Sequence, residues 1–135
     1  MKQLILVMRL IFGAWMLANG ANHFWLSFVP EPIGHEPLAV QLMAALVHSR
    51  LMDVAMLIQL AAGALIFTGF LVPVALCVVA PISTCAVFWS VVLEHQPLGA
   101  VLALAAFALN GLLMLAYVDY YKGVLQRSAL SLGEA

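Results

Sequence analysis

Apolar positions run almost unbroken from Leu4 to Val29, Leu51 to Phe70, Pro73 to Leu93 and Leu98 to Tyr121. Each run exceeds the ~18 residues that a helix needs to cross a hydrocarbon layer. Pro30, Pro32, Gly34 and Pro37 break the pattern after the first run, and a regular helix cannot pass through them. Glu94, His95, Gln96 and Pro97 separate the third run from the fourth. The link at 70–73 is equally short, and Pro73 suits the first turn of the helix after it. Turns this short force antiparallel neighbours. The pattern therefore predicts a single all-α domain over 1–135, an integral membrane four-helix bundle running up-down-up-down.

Between the first two runs, Leu38, Leu42 and Leu46 share one helical stripe, with Gln41 and His48 away from it. This predicts a short amphipathic helix at the membrane surface. If it continued to Phe70, the helix would be about 50 Å long against a bilayer core of about 30 Å. A break is therefore expected near His48–Arg50, with Ser49 as the N-cap.

Composition points the same way. Hydrophobic residues make up 66% of the chain and charged residues 8%, against roughly 25% charged in a soluble domain. Five Lys+Arg and six Asp+Glu cannot cover a water-facing surface, and the net charge of −1 leaves no basic patch for nucleic acid. Cys77 and Cys85 sit in one run, about 12 Å apart along a helix. They are too far apart to pair and are expected as small buried apolar residues. Lys2, Arg9 and the Ala18-Asn19-Gly20 step loosely resemble a cleavable leader. The apolar run continues past that step, so an uncleaved first span is expected.

The basic residues set an orientation. In an up-down bundle Lys2, Arg9, Lys122 and Arg127 lie on the side of the termini, and Arg50 alone lies opposite. That bias predicts both termini in the cytoplasm. The outer side then collects Glu31, Glu36, Asp53 and Glu94 with all four histidines, His23, His35, His48 and His95. Phe24, Trp25, Phe28, Phe88 and Trp89 fall near the outer interface and Tyr117, Tyr120 and Tyr121 near the inner one, as anchoring belts do.

Depth then selects candidate chemistry. His23 lies roughly 8–9 Å inside the outer end of the first span, at 1.5 Å per residue. Asn19 is a turn deeper and Asn22 is adjacent. Asp53 sits at the outer end of the second span, Gln59 about two turns below it, and Trp89 near the level of His23. These six are the candidate ligand pocket, because polar groups within spans face the bundle interior and mark functional sites. Each has a structural alternative. The asparagines can glue spans together, His23 can complete a buried network, and Asp53 can favour a helix N-terminus. His23 is the candidate catalytic group, able to protonate, to meet a quinone carbonyl or to ligate a metal. No two histidines share the i, i+3 or i+4 spacing of a helical metal site. His35, His48 and His95 are thus only weak metal candidates, and surface solvation is their default. No Ser-His-Asp signature, phosphate loop or paired-cysteine redox motif is present. Gly99, Ala103, Ala106 and Asn110, with Ala14 and Ala18, form small-residue stripes expected to pack helices closely.

These features together resemble the DoxX-like group of small four-span bacterial membrane proteins. The resemblance rests on Arg9 with Gly13, on the "NGANHF" ending of the first span, and on "LIQLAAGALIFTGFLVPVALCVVAPI" with Gly63, Gly69, Pro73 and Pro81. The exit "LLMLAYVDYYKGVL" completes it, with Tyr117 and Tyr121. Relatives often carry Glu where Gln59 stands, His where Trp89 stands and Gly where Arg50 stands, which leaves His23 as the matched titratable group. The resemblance implies a bacterial inner-membrane protein that anchors or assists a quinone-linked redox complex. It would hold a quinone or lipid in its outer pocket, and associate with membrane lipids and with other subunits or copies of itself. Two alternatives accompany it: a self-sufficient thiosulfate:quinone oxidoreductase using His23, and a membrane-protein assembly factor. No motif for binding a redox cofactor is present, and no charged file crosses the spans as a monomeric channel would need.

Overall fold

The computed structural model describes residues 1–28 and 34–122. Val29, Pro30, Glu31, Pro32 and Arg127, which carried parts of the expectation, lie outside the described residues. Every element among the described residues is a helix. In chain order they are α1, Lys2–Leu26; α2, Pro37–His48; α3, Leu51–Thr68; α4, Val72–Leu93; and α5, Pro97–Ala116. All but α2 are long and apolar enough to cross a membrane.

The ends differ from expectation by a few residues, for local reasons. Helix α3 stops at Thr68 rather than Phe70, because Gly69 turns left-handed (φ 85°). The N–H groups of Gly69 and Phe70 then both donate to the Leu65 carbonyl, which closes the helix end. Helix α5 is interrupted after Ala116, where Tyr117 leaves helical geometry (φ −102°, ψ 17°), and residues 118–122 are helical again, so the expected end at Tyr121 is reached across that break. The break after α2 is present, but Arg50, not Ser49, is the N-cap of α3, at φ 64°. Ser49 donates its hydroxyl to the Leu46 carbonyl and accepts the Leu51 N–H at 3.4 Å. Helices α1 and α4 both widen into π geometry in their last turn, over Asn22–Leu26 and Phe88–Leu93. There the Ser27 N–H reaches the Asn22 carbonyl and the Glu94 N–H the Trp89 carbonyl. Such widened turns are often found at functional sites.

Helix α1 lies against α3 more closely than against any other element, and glycines make this possible. A Cβ on Gly63 would stand 2.8 Å from the Leu17 nitrogen, and one on Gly13 would stand 2.8 Å from the Phe67 nitrogen. One on Gly20 would meet the Leu60 Cβ at 2.8 Å. Gly13 beside Phe67, Gly20 beside Leu60 and His23 beside Asp53 set an antiparallel register between these two helices. Small residues at such a seam let backbones approach where lipid offers no hydrophobic drive for association. On α5 the expected stripe faces inward, with Gly99, Ala103 and Ala106 half-buried and Asn110 buried. Ala14 and Ala18 are exposed instead, because Gly13 and Gly20 hold the contact face of α1.

One further expectation is corrected. Cys77 and Cys85 are free and exposed rather than buried. The inward face of α4 is Val72, Ala75, Leu76, Val79 and Ser83, and the cysteines fall on the other side. On α2 the buried residues are Ala39 and Met43, while Leu38 and Leu42 of the leucine stripe are exposed. The fully buried side chains Phe12, Ile66, Val72, Leu76, Val79 and Leu113 form a dry plug in the half of the bundle nearer Arg9. Beside it, nearer the middle of the spans, the four long helices line a cavity.

Candidate ligand cavity and its polar surround

The cavity occupies about 150 Å³ and is lined by all four long helices. Helix α1 contributes Trp15, Met16 and Asn19, α3 Gln59, α4 Ser83 and Ala86, and α5 Leu102, Ala103 and Ala106. The small residues of α4 and α5 create the space, since Ala86, Ala103 and Ala106 leave room that larger side chains would fill. The polar lining is neutral: two amides and a hydroxyl. Gln59 Oε1 is buried with no hydrogen-bond partner among the described residues, and Asn110 Oδ1, one turn along α5 from Ala106, is in the same condition. A buried unpartnered acceptor carries its full desolvation cost, about 1–3 kcal/mol. Such groups are rare enough in folded proteins to need a reason.

The six candidate residues do not share this space. Asn19 and Gln59 line it. His23 and Asp53 form a pair one turn above, with His23 Nε2 2.8 Å from Asp53 Oδ1. The His23 side chain is 12% exposed and that of Asp53 42%. Arg50 Nη1 stands 3.7 Å from the other carboxylate oxygen, three residues before it in sequence. A carboxylate on one ring nitrogen orients the imidazole and fixes which nitrogen carries its proton. The pair also joins the end of α1 to the start of α3. Asn22 is half-buried beside His23. The edge of the Phe24 ring meets the His23 ring at a centroid distance of 4.9 Å.

Trp89 turns away from the cavity. Its indole N–H donates to the Ala39 carbonyl at 3.2 Å and so holds α2 against the end of α4. Glu94 completes this strut. Its carboxylate accepts the His35 N–H at 2.7 and 2.8 Å and the Glu36 N–H at 3.2 Å, just before α2 begins. Glu94 is only 6% exposed. The His35 N–H bond is the main cause that holds its pKa below the ordinary carboxylate value of 4.5. The Glu36 N–H and the neighbouring His35 and His95 help, and burial partly opposes them. Gly34 permits the contact: its φ is 89°, and an added Cβ would stand 3.0 Å from Glu94 Oε2 and 3.3 Å from Trp89. Sequence reasoning placed Glu94 only in a polar turn. Sequence alone offered no signal for this contact, because Glu94 and the His35 N–H are 59 residues apart.

The remaining histidines stand apart. His35 contributes its backbone, His48 Nδ1 contacts the Ala44 carbonyl at 2.8 Å, and His95 is exposed in the α4–α5 turn at φ 56°. Among the described residues no three His, Cys, Asp or Glu side chains converge as metal ligands. At the far end of α1, the Arg9 guanidinium packs against Gly69 at the carbonyl end of α3, where a Cβ would come within 3.0 Å of it. A cation there meets the negative pole of that helix.

Comparison with known proteins finds no family model, no curated protein and no solved structure that matches the chain.

Proposed function

We propose that this chain is a DoxX-like accessory or anchoring subunit of a quinone-linked complex in a bacterial inner membrane, holding a quinone or lipid in the cavity. In this reading the bundle runs up-down-up-down, both termini are cytoplasmic, and α2 lies on the outer surface. The observation that carries the proposal is the cavity itself: about 150 Å³, largely apolar, with Asn19, Gln59 and Ser83 converging on it. A cavity of this order admits one six-membered ring, and a few convergent polar groups in an apolar pocket are how ligands are oriented. The sequence carries no motif for a redox cofactor, so electrons would come from a partner subunit. Purification in mild detergent should yield a second chain together with extractable quinone. A clean single species carrying neither would overturn the proposal.

The His23–Asp53 contact favours a second reading, a self-sufficient thiosulfate:quinone oxidoreductase. A carboxylate-oriented imidazole one turn from a cavity is placed to move a proton to or from a bound quinone. Here the purified chain reduces a soluble quinone with thiosulfate, and His23→Ala abolishes the turnover. Undiminished turnover in that variant removes His23 from the chemistry.

A further inference from the structure

The cavity is unevenly walled. Among the four long helices, α1 and α3, α3 and α4, and α4 and α5 pack more extensively than α1 and α5 do. At that seam Trp15 and Leu102, 40% and 43% exposed, flank the cavity. Towards the Arg9 end Phe12, Ile66, Leu76, Val79 and Leu113 close it, with no exposed surface between them. This least-packed seam, with the partly exposed Trp15 and Leu102 on it, therefore faces what surrounds the bundle, near the middle of the apolar spans. Gln59, Ser83 and Ala103 all lie close to the midpoints of their helices.

We propose that a neutral, lipid-soluble molecule with a hydroxyl on a ring-sized head enters this cavity sideways from the bilayer between α1 and α5. Its head meets Gln59, Ser83 and Asn19, and its tail lies between Trp15 and Leu102. The proposal rests on reading the cavity as a ligand site and names the chemistry of its occupant.

Three observations select that chemistry. First, the lining carries no charged side chain. A phosphate, carboxylate or ammonium at this depth would be an unpaired ion in hydrocarbon. Second, Gln59 Oε1 is a buried acceptor without a partner. Ser83 is 5% exposed and its hydroxyl, which can donate and accept, lines the same space. The head must donate to one and satisfy the other, and a hydroxyl both donates and accepts. Third, the volume of about 150 Å³ fits a ring, so an attached alkyl tail must leave the cavity, in this proposal through the least-packed seam of the four long helices, between α1 and α5.

The test uses the chain in phosphatidylcholine nanodiscs, titrated with 2-bromo-4-nonylphenol and with its methyl ether, which lacks the donor. Bromine quenches tryptophan at short range, and subtracting the Trp15→Phe protein isolates Trp15 from Trp25 and Trp89. Saturable quenching is expected, with the phenol bound about fivefold or more tightly than the ether, the scale of one buried hydrogen bond. Gln59→Leu and Ser83→Ala should each weaken the phenol towards the ether and leave the ether unchanged. Leu102→Phe, which narrows the doorway without adding a quenchable tryptophan, should slow the approach to saturation severalfold for both ligands. Leu102→Ala, which widens it without adding bulk, should speed the approach to saturation severalfold.

Equal affinity for phenol and ether would overturn the hydroxyl assignment. Unchanged binding rates in both Leu102 variants would overturn the sideways route. The cavity reading can be judged separately. Saturable phenol binding by a chain that purifies with neither a second chain nor quinone sinks the subunit proposal alone, whereas co-purifying quinone without phenol binding sinks this one alone.

Discussion

At the scale of single residues, glycine and left-handed backbone decide more than charge does. Gly63 has no space for a methyl group, because the atom it would meet is the backbone nitrogen of Leu17 at 2.8 Å, which cannot swing aside. Gly111, on the helix α5, has nothing within 4 Å of its would-be Cβ. Gly63→Ala should therefore cost about 1–3 kcal/mol through overpacking. Gly111→Ala should be neutral or gain up to about 1 kcal/mol from helix propensity. Thermal unfolding in detergent, followed by helical circular dichroism, checks the contrast. A Gly63→Ala protein as stable as the parent would mean that the α1–α3 seam is not built on this contact. Arg50 carries the opposite lesson. It holds φ 64° at the start of α3, a conformation that suits glycine, and its 3.7 Å approach to Asp53 comes from a side chain that is 85% exposed. An exposed pair of that kind contributes little.

At the scale of elements, α2 is a strap fastened at its beginning. Trp89 and Glu94, from the widened end of α4 and the residue after it, hold Ala39 and the N–H groups of His35 and Glu36. The Glu94 pKa lies below 4.5 in the folded chain. Its contribution is therefore fully present above the unfolded value and is lost as pH falls through the lower, folded one. Amide exchange over residues 35–43 should be slow at neutral pH and accelerate relative to the rest of the chain as pH drops below 4.5. Glu94→Gln should show the faster exchange at every pH and lose that dependence. Equal protection in the two proteins across the range would show that the carboxylate does not fasten α2.

At the scale of the molecule, the proposed orientation has a direct check. In a background with Cys77 and Cys85 replaced by alanine, a membrane-impermeant maleimide applied to intact spheroplasts should label His95→Cys. Lys2→Cys should react only after the membrane is opened. The reverse pattern would invert the bundle and move the His23–Asp53 pair to the cytoplasmic side. Much of the architecture was already legible in the sequence. Run length and prolines marked four membrane-length helices, the short helix before the second, and the break at 48–50, because each is governed by local rules of helix length and backbone geometry. The candidate site was legible only in outline. Asn19 and Gln59 could be named as inward polar groups, and His23 and Asp53 placed at matching depth, because helical rise converts position into level. What depth could not give was rotation and reach. An indole near the level of His23 points either to the cavity or to a strap. Only packing sends Trp89 to the Ala39 carbonyl, leaves Gln59 Oε1 without a partner among the described residues, turns both cysteines outward and leaves α1 and α5 less packed than the other long-helix neighbours. Those outcomes depend on which faces of α1, α3, α4 and α5 meet, a property of the helices together that no single run of residues encodes.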